Sequence, residues 1–215
     1  MELSVIAYDL AGEAGTDTDR AVEDVLSAAR VPDGVLATAA FTQDRLAIRV
    51  VCTGGPAPEV VESLSRQDAE RLGLHLAGGP APMLCVQSRF IEERPAGLAA
   101  LRYRVRPGYE QQIREVFAQV QAEARPTLRN DSGQAAGVIV GVGLFVRDDS
   151  MIRVVLFDGE LDDVARYMSK RGGRPDMERK LAPYMAEERH VETPAQFLEQ
   201  FRRNAMRRLD RRLTP

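Results

Sequence analysis

Two histidines occur in 215 residues, and one of them is either a candidate base or a surface side chain beside Glu187 and Glu188. His190, in the run EERHVET, can serve as a general base, because imidazole has an ordinary pKa of about 6.5 and both takes and returns a proton near neutrality. His75, in LGLHLAGG, reads as structural. Two histidines cannot furnish a three-histidine metal site, and no carboxylate spacing completes one, so no metal ligands are assigned. Arg153 interrupts the apolar run MIRVVLF. Alternation along a strand sends its side chain off the sheet with Met151, Val155 and Phe157, and if that face lines a barrel interior, the cation would stabilise an enolate or phenolate. The competing reading is an ion pair with Asp148, Asp158 or Glu160, or a rim arginine. Tyr103 and Tyr184 offer a hydroxyl for a phenol or ketone and a flat ring for an aromatic ligand. Asn130 and Asp131 fall in PTLRNDSGQAA, a stretch rich in loop formers that could hold a site or be a solvated loop without chemistry.

The usual cofactor signatures are missing. GVGLF carries Gly-x-Gly without the third glycine or the following helix that would hold a pyrophosphate, so it reads as a strand against which another segment packs closely. No Walker loop, His-Glu-x-x-His or Gly-x-Ser-x-Gly occurs. The residues suit a reaction that needs no cofactor, in which the substrate supplies the reactivity.

These side chains must be positioned by a repeated frame. The segment IRVV occurs at Ile48–Val51 and again at Ile152–Val155, and at the same offset of 104 residues Phe41 lies over Phe145 and Asp44 over Asp148. Each copy reads as a hairpin, VLATAAF-TQDR-LAIRVV and VIVGVGLF-VRDDS-MIRVVLF. Upstream, VIAYDL matches LRYRVR with Tyr8 over Tyr103, and a stripe at i, i+3, i+4 spacing follows each (Val22, Val25, Leu26; Ile113, Val116, Phe117). Downstream, PEVVESL and DDVARYM carry a second helical stripe, ending at Leu64 and Met168. Strand, helix, strand, strand, helix is the ferredoxin-like order, an antiparallel sheet with both helices on one face.

The expected fold is therefore α+β, with tandem ferredoxin-like repeats at 1–94 and 98–194 forming a dimeric α+β barrel, closed within one chain or between the chains of a homodimer. Met83–Phe90 supplies a fourth strand for the first repeat and Arg189–Thr193 a weaker one for the second, with a linker near residue 95. The second half carries nine extra residues within PTLRNDSGQAA. Residues 195–215 read as a basic amphipathic helix with Leu198, Phe201, Ala205 and Leu209 on one stripe, suited to docking on its own protein, on a membrane surface or on an acidic partner such as an acyl carrier protein.

Bulk composition agrees with a globular chain: 44% hydrophobic, 28% charged, net charge −3, which speaks against a general nucleic-acid binder. Cys52 and Cys85, the only thiols, do not make a disulfide framework. The start MELSVIAYDL lacks the pattern of a signal peptide, and the longest apolar stretch, Gly137 to Val146, is about half the ~20 residues of a membrane-spanning helix, so a cytoplasmic protein is expected.

The runs YRVRPGYEQQIREVF, GVGLFVRDDSMIRVVLFDGELDDVARYM, ERKLAPYMAEERHVETPAQF and RRNAMRRL together resemble the SchA/CurD-like domain of aromatic polyketide and spore-pigment pathways in actinomycetes, over roughly residues 98 to 209. The resemblance implies a tailoring protein for a polycyclic, phenol-rich polyketide, with an architecture similar to that of cofactor-independent anthrone oxygenases and some polyketide cyclases. It implies a quinone-forming monooxygenase in which His190, or a group in the Asn130-Asp131 loop, takes a proton and Arg153 steadies the anion. Tyr103, Phe145, Tyr184 and Met168 would shape the cavity. The alternatives are an aldol cyclase using the same groups and a non-catalytic binding subunit of the polyketide complex.

Overall fold

The computed structural model describes residues 1–11, 16–28, 31–91, 95–119, 125–130, 132–170, 174–187 and 193–213. In chain order the elements are β1 (Glu2–Asp9), α1 (Thr16–Ala28), β2 (Val35–Gln43), β3 (Leu46–Thr53), α2 (Pro58–Leu72), β4 (Ala81–Pro82), β5 (Leu84–Phe90) and β6 (Gly97–Arg104). They continue with α3 (Glu110–Ala118), β7 (Thr127–Arg129), β8 (Ala135–Arg147), β9 (Ser150–Asp158), α4 (Leu161–Lys170), α5 (Arg174–Leu181), α6 (Pro194–Asn204) and β10 (Arg207–Leu213). The fold is α+β, with antiparallel sheets and helices. Two compact units result: unit 1 from Met1–Met83 with Met206–Pro215, and unit 2 from Leu84–Ala205.

Unit 1 holds an open sheet ordered β10-β2-β3-β1-β4. Val22 and Leu26 of α1 and Leu64 and Leu72 of α2 pack with Ile6, Tyr8 and Val51 of the strands, so the i, i+4 stripes cover one sheet face. Unit 2 is ordered β5-β8-β9-β6, with β7 also pairing with β8. There Ile113 and Phe117 of α3, Val164 and Ala165 of α4, Leu181 of α5 and Phe197 and Phe201 of α6 join Leu101, Tyr103, Met151, Val155 and Phe157 in one core. Both hairpins turn over two residues, between the pairs Gln43↔Leu46 and Arg147↔Ser150. The first turn residue is an aspartate at positive φ in each, Asp44 at 56° and Asp148 at 50°, a conformation that the short polar side chain tolerates.

Four expectations are corrected. The segment expected to finish the first sheet, Met83–Phe90, gives β5, which pairs with β8 in unit 2. Alternation assigns faces but not partners, and β8 offers Gly141, against which the Phe90 ring packs so closely that a Cβ there would stand 2.7 Å from it. The expected C-terminal helix at 195–215 ends at Asn204, and the chain continues as β10 along β2 of unit 1. Its supposed single stripe is divided, Phe201 in the core of unit 2 and Leu209 against that of unit 1. An arginine-rich strand suits a sheet edge, and β10 stands at one. The chain consequently passes between units at 83/84 and 205/206, whereas the segment near residue 95 lies between two strands of one sheet. Finally, the nine extra residues, expected as a loop, form β7 and a turn into β8. The alternative strand Arg189–Thr193 lies outside the described residues except Thr193, which caps α6 with a reciprocal bond to Gln196.

Candidate functional site

The two IRVV arginines occupy matching places. Arg49 pairs in register with Ile6 and Ala40, and Arg153 with Leu101 and Leu144. In unit 1 the helix above closes on the cation. Arg49 Nε and a terminal nitrogen donate to the two Asp68 carboxylate oxygens at 2.5 and 2.9 Å, and a further bond at 3.0 Å reaches the Leu26 carbonyl of α1. The Tyr8 hydroxyl donates to the same carboxylate at 2.6 Å. Tyr8, Arg49 and Asp68 are all buried. Burial and the Asp68 charge push the Tyr8 phenol far above its ordinary range. For Arg49, burial acts to lower the pKa, but its hydrogen bonds to Asp68 and that charge outweigh it and hold the pKa raised. This half is a filled, self-satisfied arrangement.

Unit 2 has the same strand residues in a different setting. Arg153 is half-buried, its guanidinium carbon 5.6 Å from the centroid of the Phe117 ring on α3. Gln87 of β5 donates to the Phe117 carbonyl at 3.1 Å, so the end of α3 is held by a side chain from the sheet. Tyr103 shares the face of Arg153, two residues along through its partner Met151. That face is covered by helices: Met151, Val155 and Phe157 belong to the core with α3, α4, α5 and α6. The expectation that Arg153 faces a barrel interior is thereby replaced, because its candidate site lies between sheet and helices of unit 2.

Among the sequence candidates, Tyr103, Tyr184 and Met168 join this core, the latter two as half-buried side chains packed against it. Phe145 does not. It pairs with Ile152, on the opposite face from Arg153, while its neighbours Leu144 and Val146 are in the helix-side core. Asn130 is absorbed by its own turn, its side-chain oxygen accepting from the Ser132 hydroxyl at 2.7 Å and from the Gln134 amide at 3.0 Å. His190 and Asp131 lie outside the described residues. In the basic tail, Arg202 pairs with Asp162, Arg203 with Glu199 and Arg207 with Glu23, at 3.9, 3.1 and 3.5 Å, pairs that an acidic partner would have to displace.

Sequence reading missed three participants. Asp68 was legible: it stands four residues from both Leu64 and Leu72, a carboxylate on an apolar stripe, and all three are buried. Phe117 was read as core but not as a platform for a cation. Tyr109, at the start of α3 after Pro107-Gly108, places its ring 5.4 Å from that of Tyr184. The segment before Tyr184 is tied down by the Arg106 amide, which donates to the Tyr184 carbonyl at 2.8 Å, and by a bridge between Val105 and Met185. Four of the five tyrosines thus lie in unit 2.

Among the described residues no helix is long and apolar enough to cross a membrane, and no three His, Cys, Asp or Glu side chains gather as metal ligands. Neither cysteine is in a disulfide, and Cys52 is buried while Cys85 is exposed. A family model described as "SchA/CurD like domain" matches residues 97–213. No curated protein matches the chain. Among solved structures the chain is similar to one titled "Crystal structure study of anthrone oxidase-like protein", at 11% identity and a TM-score of 0.46, over 98% of this chain and 92% of that one.

Proposed function

Because the chain belongs to the SchA/CurD-like domain family, whose model covers more than half of it, we propose that it is a tailoring enzyme of aromatic polyketide biosynthesis, working in unit 2. The observation that carries this reading is the contrast between the two arginines. Arg49 is sealed against Asp68, whereas Arg153 is half-buried on an aromatic platform, on the sheet face it shares with Tyr103, in a core that Tyr184 and Met168 also join. A cation beside flat, phenol-bearing side chains suits an ionised, electron-rich aromatic ligand.

The reaction that fits is oxidation of a hydroxyanthrone to a quinone by O2 without a cofactor. A base removes a proton from the ring CH2, and His190 is the sequence candidate for it. The resulting enolate is steadied by Arg153 and gives electrons to O2, so that oxygen adds at that carbon. One oxygen atom stays as the new carbonyl and the other leaves as water with the two CH2 hydrogens. The substrate's own electron richness supplies the redox power. The architecture we propose is a pair of ferredoxin-like repeats, each giving one strand to the sheet of the other unit, β5 beside β8 and β10 beside β2. Oxygen uptake by the purified protein with 1,8-dihydroxyanthrone tests the reaction. Consumption with growth of a quinone absorption band supports it; no consumption, with ring closure of a linear polyketide instead, would make the protein an aldol cyclase.

A further inference from the structure

Tyr109 and Tyr184 are brought ring to ring by the backbone around them. The chain leaves β6 through Val105, which bridges Met185. On either side of that bridge the Arg106 amide donates to the Tyr184 carbonyl at 2.8 Å and the Ala186 amide to that of Arg104 at 3.1 Å, so the segment carrying Tyr184 is fixed beside the end of β6. Pro107-Gly108 then turns the chain, with Gly108 at φ 85°, the positive φ that a Pro-Gly turn asks of its glycine. The turn delivers Tyr109, at the start of α3, beside Tyr184: the ring centroids are 5.4 Å apart and the planes inclined at 38°. Tyr109 is 37% exposed, and Tyr184 is half-buried, packed against the core of unit 2. Unit 1 makes the same backbone contacts, Leu10 with Leu76 and the Ala11 amide with the His75 carbonyl, but carries a histidine in the place of Tyr184. The local backbone therefore does not require a phenol there, and the pair is a property of unit 2.

We infer that Tyr109 and Tyr184 are an oxidative cross-linking site, at which a one-electron oxidant of the phenoxyl or semiquinone class joins the two rings as dityrosine. The chain has no tryptophan, so its phenols are its readiest aromatic electron donors. Each phenol loses one electron to the oxidant together with its hydroxyl proton, and the phenoxyl radical shares its spin with the ring carbons next to the C–O bond. The two radicals join through one such carbon each. The hydrogen on each joining carbon then moves to the adjacent oxygen, which restores both aromatic rings. One C–C bond forms, two C–H bonds break, and two protons and two electrons leave, the electrons taken by two equivalents of the oxidant. Rings held side by side meet at an effective concentration far above that of separate molecules, so coupling within a chain outruns coupling between chains. Tyr8, by contrast, is buried with its hydroxyl bonded to Asp68, out of such an oxidant's reach. The new bond fastens the start of α3 to the turn after α5. The inference stands apart from the reaction proposed above, because it needs a one-electron oxidant at this pair and no bound substrate.

To test it, the full chain, folded and dilute, is illuminated with a ruthenium tris-bipyridyl complex and persulfate, which together withdraw single electrons from phenols. The expected result is dityrosine fluorescence in the monomer band of a denaturing gel. Trypsin should then release the peptides VRPGYEQQIR and LAPYMAEER joined to each other with the loss of two hydrogen atoms. Tyr109→Phe and Tyr184→Phe, which keep the rings and remove the hydroxyls, should each lower the monomer-band fluorescence by about ten-fold, whereas Tyr167→Phe should stay within about two-fold of the parent. Unfolding the chain in urea before illumination should lower the yield of the joined peptides by about ten-fold as well, since the juxtaposition belongs to the fold. A monomer band without dityrosine, joined peptides that lack Tyr109 or Tyr184, an equal loss in Tyr167→Phe, or an undiminished yield in urea would each overturn the inference. Should Tyr184→Phe fail to fold, Tyr109→Phe, at the more exposed ring, carries the test alone. Oxygen uptake with 1,8-dihydroxyanthrone is measured separately on protein kept in the dark. Its absence would remove the oxygenase reading and leave the cross-linking site standing, while uptake without cross-linking would remove the site alone.

Discussion

Arg49 donates two hydrogen bonds to the Asp68 carboxylate, at 2.5 and 2.9 Å, and neither side chain is reached by solvent. Both are held from outside the pair as well, the guanidinium by the Leu26 carbonyl and the carboxylate by Tyr8. Such a buried pair gains from Coulomb attraction little more than it loses in desolvation, but removing one partner strands the other.

Asp68→Ala should therefore destabilise the protein by about 3–5 kcal/mol in urea unfolding, because it leaves the Arg49 charge buried without its counter-ion. A loss no larger than that of an exposed substitution such as Glu62→Ala would contradict the structural role given to the pair.

Arg153→Gln should behave in the opposite sense. The side chain is half-buried over Phe117, so its removal should cost no more than about 1–1.5 kcal/mol of stability. Its effect on anthrone oxidation should be a loss of about 10²-fold in kcat/KM, the scale of removing one preorganised group that meets developing negative charge. Urea unfolding and oxygen uptake on the same preparation check both parts.

Alkaline pH should unfold the protein earlier than its carboxylates and arginines would suggest. Burial pushes the Cys52 thiol up to about 11. The folded state thus holds this proton more tightly than the unfolded chain, whose thiol titrates at about 8.5. The resulting stability is fully present below the unfolded value and is lost as pH rises through the folded one, a fall of about 2–3 kcal/mol between roughly pH 8.5 and 11. Tyr8, also raised by burial, adds a loss of the same sign above about pH 10. Cys52→Ala should flatten the lower part of the profile, measured by unfolding at a series of pH values; an unchanged slope would contradict the assignment.

Gly137→Ala should weaken unit 2. Gly137 has φ 144°, and a Cβ there would stand 2.0 Å from the Asp158 carbonyl oxygen, a backbone atom that cannot step aside alone. A loss of about 1–3 kcal/mol is expected from the strain, whereas Gly133→Ala, in an open turn, should cost less. Thermal unfolding of the two variants side by side is the check.

Much of the frame could be read from spacing, and what could not has a physical reason. The twin hairpins stand out because β-prone runs flank short polar turns, and Asp44 and Asp148 do sit at positive φ in two-residue turns. The helix stripes put Val22, Leu26, Ile113 and Phe117 in the cores as spaced. Strand partnership was not legible, since LCVQSRF alternates equally well beside either sheet and only Phe90 over Gly141 marks the sheet it joins. In the tail, Phe201 and Leu209 fit one helical stripe on spacing alone, although they serve two cores. At the candidate site, the repeat put Arg153 and Tyr103 on strands, whereas the face they share could not be told from its reverse. That ambiguity is why Phe145, on the other face, was grouped with them.

The proposed function places ligand chemistry on the helix side of the unit 2 sheet. A crystal structure with 1,8-dihydroxyanthrone soaked in tests it most directly. Ligand density with an oxygen at hydrogen-bond distance from the Arg153 guanidinium and the Tyr103 hydroxyl, and none beside Arg49, is the expected result. Density on the opposite face, against Phe145, or an empty unit 2 with ligand bound elsewhere, would contradict it.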